Sequence, residues 1–385
     1  MLNPFYWYSS IWTAVIVLYS LGYSQINAAL SGYLLSFFLC TVPLSACLGY
    51  CMRNIFVYKP SMKNIKYHKT PTILLVIGTV IEFIYSKQLP LISIIKGTSE
   101  YGDFTGIPLL HGIIINFTIF YSAYLFYVYI ETRNKEVGYG VVVQFIILLL
   151  MFQKGAMIIC LFIFGNLLFA KIRYQGKTAI GPVILGMVLV GIVVLFLNGV
   201  LANIRSGVAW SDDSYIFRVA LIKKWPAFVP GQFAWAYSYI TTPLGNLNNL
   251  IRMSLDNINV SQVIGTVIPI MILKVVSPNS VISLDNSTLM VESMNASSGF
   301  YNPAYVGGIR GIVFFYVITM IIIMVFGLWL YKKNEASPMY GIFSMMIVFC
   351  FFYDTFNTSV TSLLPLIVWL YFVFKRAKSV FIIRS

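Results

Sequence analysis

Four arginines, two lysines, two aspartates and one histidine are the residues of this chain best suited to chemistry on a charged substrate. Arg205, Arg218, Lys223 and Lys224 crowd the stretch "RSGVAWSDDSYIFRVALIKKW" (205–225), and Arg252 and Arg310 follow in the same region. Guanidinium forks grip phosphate oxygens bidentately and ammonium groups add point charges, so such a set can hold a diphosphate and stabilise its departure. The same cations also suit lipid phosphates, or local pairing with Asp212 and Asp213. Proton acceptors are few. Asp212, Asp213, Asp256, Asp285 and Glu292 accompany the cations, Glu100 and Asp103 lie earlier, and His111 ends the run "GIPLLH". An imidazole titrates near neutral pH, which suits proton transfer, although a lone histidine also serves as a packing residue.

Next to the cations stands "GQFAWAYSYITTPLGNLNNL" (231–250), in which Phe233, Trp235, Tyr237 and Tyr239 alternate with Ala or Ser. If this stretch is extended, the period of two puts four rings on one side. Such rings form a platform for sugar C–H faces, with Asn246, Asn248 and Asn249 bonding hydroxyls. A belt at a membrane interface has the same composition. Upstream, "SDDSYIFRVALIKKW" predicts a short amphipathic helix capped by Ser211 or Ser214, with its aspartates at the positive end of the helix dipole. Tyr215, Val219 and Ile222 would share one face.

Several chemistries are excluded. The chain has no Gly-rich phosphate loop followed by Lys-Ser/Thr, no HExxH and no DxD-like metal pair. Its five cysteines, Cys40, Cys47, Cys51, Cys160 and Cys350, have no metal-ligand spacing and read as small packing residues. No metal and no cofactor is expected. The N-terminus runs into apolar sequence without a basic region or cleavage site, so no signal peptide is expected.

The elements that must position these residues are set by hydropathy. Of 385 residues 59% are hydrophobic and 10% charged, with a mean hydropathy of +0.84. That composition predicts an all-α polytopic membrane protein. Ten spans are expected, at 7–24, 30–50, 71–86, 107–130, 139–152, 156–170, 178–199, 310–331, 338–353 and 359–374. Sixteen of the 26 Lys and Arg residues fall in five short segments at alternate gaps, namely 53–69, 131–136, 171–177, 331–335 and 375–385. The positive-inside rule then places both termini in the cytoplasm and explains the net charge of +14 without nucleic acid. "VSQVIGTVIPIMILKVV" (260–276) is interrupted by Pro269 and carries Lys274, so it is expected to be a buried, re-entrant or surface-lying segment rather than an eleventh span. Two outer loops result. The smaller covers 87–106, and the larger, 200–309, is too aromatic for disorder and is expected to fold as a cap. Glu82 is the clearest intramembrane charge; its place near the outer end of the third span allows snorkelling or pairing with Lys87.

This pattern resembles the bacterial O-antigen polymerases, the Wzy-type oligosaccharide repeat-unit polymerases. The resemblance covers the whole chain and rests on topology together with "YGDFTGIPLLH" (101–111), Arg205 and Arg218, "SYITTPLGNLNN" (238–249) and "GFYNPAYVGGIRGI" (299–312). Arg218 and Gly231 are separated by twelve residues, which departs from the Arg-x10-Gly spacing of some family loops. The resemblance implies a GT-C-like glycosyltransferase at the periplasmic face of the inner membrane. Its substrate would be an undecaprenyl-diphosphate-linked oligosaccharide in lipopolysaccharide biosynthesis, with a chain-length regulator and a flippase as companions. On that reading Arg205, Arg218, Lys223, Lys224, Arg252 and Arg310 bind diphosphate. Trp235, Tyr237, Tyr239, Asn246 and Asn249 bind sugar, and Asp212, Asp213 or His111 accepts the hydroxyl proton. An O-antigen ligase shares this topology and chemistry. A flippase for the same lipid-linked sugar is expected to have more spans and charges lining the bundle interior.

Overall fold

A computed structural model of the protein describes residues 2–60, 69–95, 104, 106–176, 180–253, 259–282 and 288–383. The described residues form helices joined by turns, with one isolated antiparallel bridge between Ser24 and Ile222. In chain order the helices are α1 (Pro4–Ser20), α2 (Gly32–Cys51), α3 (Thr70–Ser86), α4 (Pro90–Ile95), α5 (Leu110–Thr132), α6 (Lys135–Leu150), α7 (Lys154–Tyr174) and α8 (Ile180–Arg205). There follow α9 (Ser214–Val219), α10 (Phe233–Arg252), α11 (Val260–Gly265), α12 (Ile270–Val276), α13 (Tyr301–Leu330), α14 (Ala336–Phe349) and α15 (Leu364–Ile383).

Local chemistry fixes many of the starts. Asn3 accepts the N–H of Phe5 ahead of Pro4, Ser31 accepts that of Leu34, and Asn134 accepts that of Glu136. Each of the ten apolar segments lies on a helix. By length and composition α2, α5, α7 and α13 can each cross a membrane. The segment 260–276 breaks into α11 and α12, of six and seven residues, and Pro269 separates them. Neither piece can span a bilayer.

The core is aromatic and helical. Trp12 of α1 packs on Phe38 of α2 and on Phe300, while α14 is buried along its whole length from Ala336 to Val348 against α1 and α7. Outward faces are apolar instead of charged, as on α8, where Leu185, Val188, Leu189 and Ile192 are exposed. Lipid-facing helices carry such surfaces. Helix α13 is broken at Gly308, where φ is 55°. The kink sets the first turns, 301–307, at an angle to the long remainder, and Arg310 lies two residues past it.

The five basic segments touch one another at one end of the bundle. Glu131 accepts the Tyr58 hydroxyl at 2.6 Å and pairs with Lys171 at 2.8 Å. Lys59 bonds the Tyr331 carbonyl, and Glu335 binds both Tyr371 and Lys375. Lys69 pairs with Glu136 at 3.3 Å. At the opposite end lie the C-termini of α3, α8 and α14 and the N-termini of α5 and α7.

Candidate functional site

The site starts from a buried charge. Glu82 is 0% exposed and does not snorkel or pair with Lys87; its Oε2 lies 2.8 Å from Nδ1 of His111. The reason is geometric. Lys87 ends α3 in a left-handed conformation, φ 53°, whereas Glu82, a turn earlier, faces the head of α5. Around the imidazole, Phe104 packs at 5.3 Å between centroids and the Gln153 amide comes within 3.5 Å of Nε2. The chain enters α5 through Leu109 at φ 69°, a conformation disfavoured for side-chain-bearing residues.

Cations join this end from two other helices. Arg205, the last residue of α8, reaches the Tyr239 hydroxyl at 3.4 Å. Lys154, the first residue of α7, follows Gln153 directly, lies over the Phe152 ring and feels the charge of Arg205. Tyr239 stacks on Trp235 and meets Phe352 edge-on. Two linked groups thus lie at this end: Glu82, His111 and Gln153, with Lys154 next in sequence, and Arg205 with Tyr239. Sequence reading had missed Lys154 and Gln153; the signal was a lone lysine in an outer gap, where the positive-inside rule does not explain it.

The remaining cations are held separately rather than in a single clamp. Arg252 donates to the Ala29 carbonyl, beside which Asn248 also donates. Arg218 lies 5.9 Å from the Tyr215 ring centre and close enough to Asp212 to influence it. The side chains of Lys223 and Lys224 are exposed, and their backbone N–H groups donate to the Tyr23 carbonyl. Arg310 is exposed on α13.

The aromatic stretch is helical, not extended, so its four rings do not share a face. Residues two apart on a helix point about 200° apart, whereas residues four apart align. Trp235 and Tyr239 accordingly stack with each other, while Tyr237 turns to Tyr23 and Trp225. Most polar tips are committed. Trp235 donates to Asn203 at 2.6 Å, and the Tyr237 hydroxyl accepts from Asn27 at 2.6 Å. Asn246, fully buried, donates to the carbonyls of Met294 and Ala296, and Asn249 donates to that of Thr288. These two amides strap the outer segment to α10 instead of standing open for sugar hydroxyls.

Asp212 and Asp213 also serve the loop. The expected helix over 211–225 lasts only from Ser214 to Val219, because Leu221 turns at φ 51° and Ile222 bridges to Ser24. Asp212 accepts the Ser214 N–H at 2.9 Å, and the hydrogen bonds of Ser214 hold its carboxyl below the usual range. Burial and the neighbouring Asp212 push the Asp213 carboxyl up, opposed by the Gly231 N–H. A Cβ on Gly231 would lie 1.9 Å from Asp213 Oδ2. Gly231→Ala is therefore expected to destabilise the protein by about 1–3 kcal/mol, read as a lower melting temperature in detergent. Neither aspartate shares a hydrogen-bond partner with His111. Glu292 is exposed, while Glu100, Asp103, Asp256 and Asp285 lie outside the described residues.

One further carboxyl was not legible. Asp354, in the turn after α14, caps the N–H groups of Phe356 and Asn357 with Oδ1, and its Oδ2 has no partner among the described residues. Asn357 in turn donates to the carbonyls of Gly265 and Ile268, tying this turn to the break between α11 and α12. Burial pushes the Asp354 carboxyl up to about 8. A folded-state value above the unfolded one means the native protein binds the extra proton, so this group's contribution weakens as pH rises from about 4 to about 8. Asp354→Asn keeps the Oδ1 cap. Its melting temperature is expected to exceed that of the parent by a margin that grows with pH and levels off above about 8.

Among the described residues no group of three or more His, Cys, Asp or Glu side chains is placed to hold a metal ion. No family model, no curated protein and no solved structure matches the chain.

Proposed function

We propose that the chain is an O-antigen polymerase, a ten-span glycosyltransferase of the bacterial inner membrane with both termini in the cytoplasm. It joins undecaprenyl-diphosphate-linked oligosaccharide units at the periplasmic face. The observation that carries the reading is the placement of Arg205 and Lys154, from α8 and α7, at the end of the bundle where His111 presents a partly exposed imidazole. That end lies opposite the five basic linkers, on the side the positive-inside rule makes periplasmic.

In this reading Arg205 and Lys154 bind the diphosphate of the donor and stabilise the charge that grows as it leaves. Fixed donors at a departing diphosphate supply most of the acceleration, and a base supplies less, because the leaving group is good. His111 Nε2 takes the proton of the acceptor hydroxyl as its oxygen attacks the anomeric carbon. The half-buried ring of Tyr239, stacked on the buried Trp235, offers an apolar wall to a sugar ring. Arg218, Lys223, Lys224 and Arg310 draw anionic lipid toward the site or bind bilayer phosphates.

Lipopolysaccharide gels of a host with the gene deleted and then restored test this. Loss of the ladder with survival of a single-repeat band supports polymerisation of units already flipped and ligated. Loss of every O-antigen band, single repeat included, overturns it in favour of flipping or ligation.

A further inference from the structure

We infer that Glu82 is the positioning residue of this site. It accepts the Nδ1–H of His111, holds the imidazole in the tautomer whose lone pair is on Nε2, and turns that nitrogen toward the acceptor hydroxyl. The inference rests on the assignment of His111 as the base.

Three observations carry it. First, Glu82 is the one charged residue of an otherwise apolar helix, "TPTILLVIGTVIEFIYS", and a carboxylate buried at 0% exposure is costly unless something specific holds it there. Second, its bonding differs from that of the protein's structural carboxylates. Glu131 and Glu335 each bind a tyrosine hydroxyl and a lysine, as stabilising clasps do. Glu82 bonds an imidazole through Oε2 at 2.8 Å, and among the described residues its Oε1 has no hydrogen-bond partner. Third, the space over the pair is kept clear. A Cβ on Gly106 would stand 2.8 Å from Glu82 Oε1 and 2.9 Å from His111 Nδ1, so only glycine passes there without moving them.

The neighbours make Nε2 the working atom. Nδ1 is occupied by the carboxylate, whereas Nε2 faces the Gln153 amide at 3.5 Å, long enough to be given up to a substrate. Among the described residues, the charged groups near the pair are Lys154 on α7 and, beyond it, Arg205 on α8; Asp103, the neighbour of Phe104, lies outside them. α6 ends there in apolar residues, Ile146–Leu150, α15 begins with Leu364, Pro365 and Leu366, and the turn after α14 carries Asp354. The acceptor O–H bond breaks and its proton goes to Nε2. The oxygen forms a bond to the anomeric carbon, and the carbon–diphosphate bond breaks with its electron pair leaving on the diphosphate. The imidazolium, stabilised by Glu82, then gives its proton to water.

Nitrogen-15 NMR of the full-length protein in lipid nanodiscs, labelled at histidine, tests this without any turnover. The chain has two histidines, so a His68→Gln background leaves one imidazole to observe. At a pH where the ring is neutral, the expected signature is the Nδ1–H tautomer as the major form, against the ordinary preference for Nε2–H. Adding Glu82→Gln is expected to return Nε2–H to the majority. A majority of Nε2–H in the background protein overturns the inference, as does a tautomer ratio that Glu82→Gln leaves unchanged. The functional reading fails separately. A His111→Gln protein that still polymerises, alongside the expected tautomer in the background protein, would leave the pair real and remove it from glycosyl transfer.

Discussion

Replacing His111 by glutamine is expected to reduce polymerisation by about 10²-fold, the low end of a general base's usual contribution, because the leaving group is good. Glutamine keeps an N–H for Glu82 and so separates chemistry from folding. The contrast is His111→Ala, which leaves a wholly buried carboxylate without its partner. Leaving a buried carboxylate without its hydrogen-bond partner costs about 3 kcal/mol or more, so the alanine protein is expected to insert poorly and melt early. Glutamine and alanine variants should therefore be equally inactive per molecule and very unequal in yield. Activity per correctly inserted molecule, from gel ladders normalised to protein in the membrane, is the measurement. A glutamine variant that makes full-length polymer would remove His111 from the mechanism.

Arg205→Ala is expected to cost about 10²–10³-fold in kcat, because in the proposed mechanism its guanidinium stabilises charge that exists mainly in the transition state. Binding of the lipid-linked donor should weaken less. Arg205→Lys keeps the charge and loses the fork, so it is expected to recover only part of the rate. Folding is not the cause of the loss, since Arg205 is exposed and its hydrogen bond to Tyr239 is a long one. Arg252→Ala provides the comparison. It removes a donor to the Ala29 carbonyl and should lower stability more than rate. A rate loss at Arg252 as large as at Arg205 would mean that the cations act together after all.

Hydropathy and charge made the helices legible, but their cross-links were not. The long runs on α2, α5, α7 and α13 are read directly, because an apolar run has few alternatives to a helix in lipid. The expected start at 310 on α13 falls just past the break at Gly308, since the preceding "YNPAYVGG" has turn composition yet forms a separate helical piece. α10 was hidden by polarity. Thr241, Thr242, Asn246 and Asn248 are buried there; Thr241 donates to the Tyr237 carbonyl one turn back, and the two amides are satisfied by bonds to distant backbone that no local pattern reveals. The alternating rings of 233–239 misled for a related reason, since residues at i and i+4 satisfy both a period of two and a helical face. His111 and the cations stood out by type. Glu82 stood out by its apolar surroundings, but its partner lies 29 residues away and only the packing of α3 on α5 joins them.

The central claim is best tested with the purified protein in liposomes, supplied with an undecaprenyl-diphosphate-linked oligosaccharide and no nucleotide sugar. The predicted result is a series of lipid-linked products lengthened by whole repeat units, with undecaprenyl diphosphate released in step. Unlengthened substrate recovered from the opposite leaflet, or substrate left unconsumed, would contradict the account.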